Sequence, residues 1–76
     1  MSHAIGVTRL QSFLTRYGIR PMYFADHAGV SRQYLLKLRK GEAEPTRPMM
    51  IRLTHAARSI TGQRVMVREL FDLGDS

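Results

Sequence analysis

Apolar residues recur along this chain at steps of three and four and are broken at short intervals by glycine and proline, a rhythm that predicts about five short helices. From Val7 to Tyr17, the residues Val7, Leu10, Leu14 and Tyr17 fall on one helical stripe with Phe13 beside them, which predicts one buried face. Gly18 ends that segment. At Ile19-Arg20-Pro21 a second helix begins, because the residue before a proline is held extended and a proline at the first helical position gives up no hydrogen bond. Ile19 also has the spacing to staple against Phe24. The helix runs to Ala28, and Gly29 supplies a stop that needs positive φ.

Ser31 is placed to cap a third helix by accepting from the amide of Gln33 or Tyr34, with Val30 and Leu35 at staple spacing. Lys37, Arg39 and Lys40 followed by Gly41 form a favourable ending, with cations in the last turn and glycine beyond it. Glu42 to Pro45 reads as a polar loop. Thr46 is the next cap, Pro48 lies in the first turn, and Met50, Leu53, Ala57 and Ile60 make the stripe of a fourth helix. After a connection at Thr61 to Arg64, the segment Val65 to Leu73 predicts a short fifth helix through Val67, Leu70 and Phe71, although Val65-Met66-Val67 also fits a short strand.

The stretch from Pro21 to Lys40 has the pattern of two helices crossing steeply over a tight turn. Such a unit requires a small residue where the backbones approach, a glycine in the turn and apolar residues at a few inward positions. Phe24, Ala25, Ala28, Gly29, Val30, Leu35 and Leu38 occupy those places, with Ala25 at the close approach. The expected fold is all-α, with four to five short helices forming one domain over 1–76, a helix-turn-helix at 21–40 and a recognition helix at 31–40. Leu35 and Leu38 account for the buried face of that helix, so Leu36 is expected at the surface, against a thymine methyl or a partner subunit.

Charge directs this picture towards a polyanion. The net charge is +6. Through Lys40 there are seven cations (Arg9, Arg16, Arg20, Arg32, Lys37, Arg39, Lys40) against the single anion Asp26, whereas five cations and five anions follow. The whole excess therefore lies in the half that carries the tight helical pair, the asymmetry expected of a nucleic-acid binder. With no cysteine, disulfides and thiolate zinc sites are excluded. No apolar run approaches the roughly 18 residues that a membrane span needs, and Met1 to Arg9 lacks the apolar core of a signal peptide, so a cytoplasmic protein with no membrane partner is expected. His3, His27 and His55 lack metal-ligand spacing, and neither a phosphate-cradling glycine loop nor a nucleophile motif occurs. No enzyme, cofactor or metal is expected.

The run Phe24-Ala25-Asp26-His27-Ala28-Gly29-Val30-Ser31-Arg32-Gln33-Tyr34-Leu35, with Lys40-Gly41 and Pro45-Thr46, resembles the Cro/cI-type helix-turn-helix family, which includes the xenobiotic-response-element-type regulators. The tail Thr61-Gly62-Gln63-Arg64-Val65-Met66-Val67-Arg68-Glu69-Leu70 is similar to the ends of compact Cro-like phage and prophage repressors and of some antitoxin-type members. The resemblance implies a lambda-repressor-like helical domain that binds operator DNA as a dimer. It places the base-reading side chains at Arg32, Gln33 and Lys37. Their chemistry is suitable, since arginine and lysine donate to guanine O6 and N7 and glutamine pairs with adenine N6 and N7. Arg32 carries an independent hint, because a cation in the first turn opposes the helix macrodipole.

Contacts to the phosphate backbone or secondary contacts are expected from Tyr23, Ser31, Tyr34, Leu36, Lys40, Thr46 and Arg47, the last two at a helix N-terminus whose free amides suit an anion. Arg39 is read either as a DNA contact or as a complement to the helix C-terminus. Three positions depart from the family pattern: Pro21 replaces a common glutamine, Arg20 the usual Ser or Thr cap, and Arg39 a frequent glutamate. The leading expectation is a transcriptional repressor acting on double-stranded DNA as a homodimer, with Val65, Met66, Phe71 and Leu73 as candidate subunit contacts. The competing expectation is an antitoxin or phage-encoded adapter that uses the same domain on a protein partner such as a toxin or polymerase. Adjacent Met49 and Met50 are compatible with an adaptable contact surface of that kind.

Overall fold

A computed structural model describes residues 8–72. It contains five helices, α1 (Arg9–Tyr17), α2 (Pro21–Ala28), α3 (Arg32–Lys40), α4 (Arg47–Thr61) and α5 (Val67–Leu70), and no strand among the described residues. The all-α expectation holds, and the ambiguity at Val65-Met66-Val67 is settled without a strand: Val65 and Met66 are loop and Val67 opens α5. There the Glu69 carboxylate accepts from the Met66 N–H at 2.8 Å, which fixes a helical first turn.

Local chemistry sets the helix boundaries. Thr8, Ser31 and Thr46 cap α1, α3 and α4 by accepting from the amides of Gln11, Tyr34 and Met49 at 3.0, 3.0 and 3.3 Å. Each such cap contributes about 1 kcal/mol. The residue preceding α2, Arg20, makes no side-chain cap, and Pro21 occupies the first turn instead. At the far end of α2, Gly29 adopts φ 74° and the Val30 N–H donates to the Ala25 carbonyl at 3.0 Å, so the chain enters α3 after only Gly29, Val30 and Ser31. An L-residue in that conformation is strained, which is why glycine stands there.

All five elements contribute to one core. Leu10, Phe13 and Leu14 come from α1, Phe24, Ala25 and Ala28 from α2, Leu35 and Leu38 from α3, and Leu53, Ala56 and Ala57 from α4, closed by Val65, Leu70 and Phe71. Helix α2 packs on both α3 and α4, while α1 packs on α3 and α5. The side chain of Ala25 is fully buried, in keeping with its role at a close approach of helices. Thr54 is buried too, and its hydroxyl is satisfied by donating to the Met50 carbonyl at 2.8 Å.

The core differs from the sequence expectation in two places. Tyr17, the last residue of α1, is exposed rather than buried, with its ring tilted against Phe13 at a centroid distance of 4.6 Å. More consequentially, Val65 and Phe71 are corrected as subunit contacts: they are only 1% and 8% exposed. Their segment is drawn inward by Arg58, whose Nε donates to the Val65 carbonyl at 2.7 Å, and by Arg9, whose Nη1 donates to the Arg68 carbonyl at 2.9 Å. Both side chains are thereby spent on the core. Met66 remains 43% exposed. Val7 and Leu73 lie outside the described residues. No described helix is long and apolar enough to cross a membrane.

Candidate nucleic-acid interface

Helix α3 divides cleanly into two faces. Leu35 and Leu38 are buried and Tyr34 and Arg39 are half-buried, whereas Arg32, Gln33, Leu36, Lys37 and Lys40 are exposed. At about 100° per residue, those five exposed positions span an arc of about 140° centred opposite the two leucines. The three predicted base-reading residues thus share one outward face with Leu36 and Lys40. Leu36 is 40% exposed, as its place between two core leucines predicts. The side chains around this leucine are a guanidinium, two ammonium groups and the Gln33 amide, which both donates and accepts.

The secondary residues fall into different roles. The Ser31 hydroxyl is engaged as the cap of α3, and Tyr34 packs at the edge of the core. Tyr23 stands exposed on α2 with its ring 6.0 Å from that of His27. Thr46 and Arg47 are exposed at the head of α4, where Thr46 caps the first turn. Tyr23, Thr46 and Arg47 therefore reach solvent from the two elements flanking α3 in sequence.

Arg32 has a local partner that the sequence did not suggest. Its Nη2 lies 3.9 Å from Asp26 Oδ2 on α2, with the two side chains 62% and 66% exposed. A pair this open to water contributes little, about 0–1 kcal/mol. It offsets part of the macrodipole cost at the start of α3 and leaves the guanidinium accessible.

Arg39 belongs to a different network altogether. Its Nε donates to Gln11 Oε1 at 2.6 Å, its carbonyl accepts from the Thr8 hydroxyl at 2.9 Å, and Gln11 Nε2 in turn donates to Thr15 Oγ1 at 3.1 Å. This chain of bonds ties the last turn of α3 to α1. Arg9 and Arg58 likewise bind backbone carbonyls rather than lying free. The i, i+4 pair Gln11 and Thr15 beside an apolar stripe was the only sequence signal for the Arg39 network. No group of three or more His, Asp or Glu side chains that could hold a metal ion occurs among the described residues.

Comparison of the chain with protein-family models, curated proteins and solved structures gives no match.

Proposed function

We propose that the protein is a cytoplasmic, sequence-specific DNA-binding regulator of the repressor kind, with α2 and α3 as a helix-turn-helix and α3 in the major groove. The observation that supports this reading most is the composition of the outer face of α3. It gathers Arg32, Gln33, Lys37 and Lys40 around an exposed leucine, directly opposite the residues that anchor the helix. Arg32 and Lys37 supply donors for guanine, Gln33 a bidentate partner for adenine and Leu36 an apolar contact for a thymine methyl. Tyr23, Lys40, Thr46 and Arg47 position the domain on the phosphates without choosing sequence. In a dimer, two copies of α3 would sit about 34 Å apart on a two-fold related site.

The test is a duplex selected from a randomised pool, followed by anisotropy titrations of wild type, Arg32→Ala and Arg47→Ala over a range of salt. Arg32→Ala is expected to cost about 1–3 kcal/mol on the selected site and to relax the preference at one base pair. Arg47→Ala weakens all duplexes alike and flattens the log–log salt slope by about 0.9. An unchanged specific-to-nonspecific ratio in Arg32→Ala would refute the assignment of the reading face. A wild-type salt slope near zero would move the function to a protein partner.

A further inference from the structure

A groove of about 440 Å³ runs between α2 and α4 and is lined by His27, Ala28, Arg52, His55, Ala56 and Ser59. Ala28 and Ala56 are buried, while the four polar residues are exposed, so a small apolar floor carries polar walls. Arg52, His55 and Ser59 lie at i, i+3 and i+7 on one face of α4, and His27 faces them from the last turn of α2. None of the residues assigned to DNA reading lines this groove.

Its chemistry is one-sided. The lining offers a guanidinium, two imidazoles and a hydroxyl, and no carboxylate. The acid nearest in sequence, Asp26, is paired with Arg32 on α3. The remaining charged and titratable groups on the packed elements have other places. Tyr23 stacks near His27, Arg58 binds the Val65 carbonyl, Lys37, Arg39 and Lys40 belong to α3, and Glu69 on α5 accepts from the Met66 amide beside Arg68. Arg47, at the head of α4, is not part of the lining. The side chains of Arg52, His55 and Ser59 form no hydrogen bond or ion pair with any described residue. Histidine and serine are also indifferent helix formers, so local stability does not choose them for an exposed face of α4.

We propose that this groove binds a phosphate group, as a phosphate ester or as a phosphodiester of nucleic acid. The Arg52 fork and the Ser59 hydroxyl supply donors, and each of the two imidazoles adds a ring N–H. The site does not depend on the DNA-reading assignment of α3.

Inorganic phosphate titrated into the 15N-labelled full chain, at constant ionic strength held with sodium chloride, tests the proposal. Saturable shifts confined to residues 27, 52, 55 and 59 are expected at neutral pH. Arg52→Ala and His55→Ala each lower the affinity about tenfold, and Arg16→Ala leaves it unchanged. Non-saturating shifts, equal shifts with chloride alone, or Arg52→Ala and His55→Ala variants that bind phosphate like wild type overturn the proposal. Both substituted residues are exposed, and thermal melts of the variants check that the fold is intact. In a second arm the Arg52→Ala/His55→Ala double variant is titrated with duplex DNA. A salt slope reduced by about 0.9 per lost contact identifies a nucleic-acid phosphodiester as the occupant, and an unchanged slope identifies a free phosphate ester.

Discussion

Replacing Arg39 by alanine removes the side-chain half of the bridge between α1 and α3 and leaves the backbone half, from the Thr8 hydroxyl to the Arg39 carbonyl, in place. A hydrogen bond to a charged group contributes about 1.5–3 kcal/mol when shielded from water. Arg39 and Gln11 are both half-buried, so screening brings the expected loss to about 1–2 kcal/mol. For a domain of this size that is a fall in Tm of roughly 4–16 °C. The decisive comparison is Arg39→Lys. A lysine keeps the positive charge in the last turn of α3 but lacks the Nε–H that meets Gln11 Oε1 at 2.6 Å. Urea unfolding of wild type, Arg39→Ala, Arg39→Lys, Gln11→Ala and the Arg39→Ala/Gln11→Ala double variant gives the coupling directly. The cycle also cancels the loss of the Gln11 bond to Thr15. A coupling of at least about 0.5 kcal/mol is expected. If the lysine variant were as stable as wild type and the two alanine changes simply added, Arg39 would be no more than a charge complementing the helix C-terminus, and the bridge would contribute nothing.

Two further outcomes follow from the burial and the charges. Val65→Ala should destabilise by about 1–3 kcal/mol in urea unfolding, because it empties a filled core position, whereas Met66→Glu should change stability by less than about 0.5 kcal/mol and shift any self-association seen by sedimentation towards monomer. Equal destabilisation by both would contradict the placement of Val65 inside and Met66 outside. Asp26→Asn removes the carboxylate beside Arg32. It is expected to leave stability within about 0.5 kcal/mol and to tighten duplex binding in the same anisotropy assay, with a weakened complex as the contrary result.

The limits of α2, α3 and α4 were readable because they are written in short-range chemistry. Ser31 and Thr46 cap as their positions predict, and Gly18, Gly29, Gly41 and Gly62 all take positive φ beyond a helix end. The outward face of α3 was legible for the same reason: with Leu35 and Leu38 committed to the core, helical geometry alone assigns Arg32, Gln33, Leu36 and Lys37 to solvent. Val65 and Phe71 were misjudged because their burial depends on bonds made at a distance. Arg58 reaches the Val65 carbonyl across a chain turn, and Arg9 reaches Arg68 over 59 positions, so no local periodicity registers either one. Arg39 stands in the last turn of α3 as one of its two readings had it, but its bond to Gln11 was illegible because that partner lies 28 residues earlier. Arg32 shows the opposite case. Its first-turn position suggested an anionic partner from outside the chain, but the nearby Asp26 weakens that argument from macrodipole cost.

The docking of α5 on α1 sets an order of events during synthesis. The α2–α3 and α2–α4 contacts join segments near in sequence or separated by one helix, and such closures are entropically cheap and fast. The contact that covers α1 must wait for Leu70 and Phe71, which are made after all four longer helices. Until those residues leave the ribosome, the α1 face that meets them stays uncovered and exposed to chaperones and proteases. The Arg9 to Arg68 bond then forms as a late latch, and a nascent chain that stalls before Leu70 presents an apolar surface that the finished domain hides.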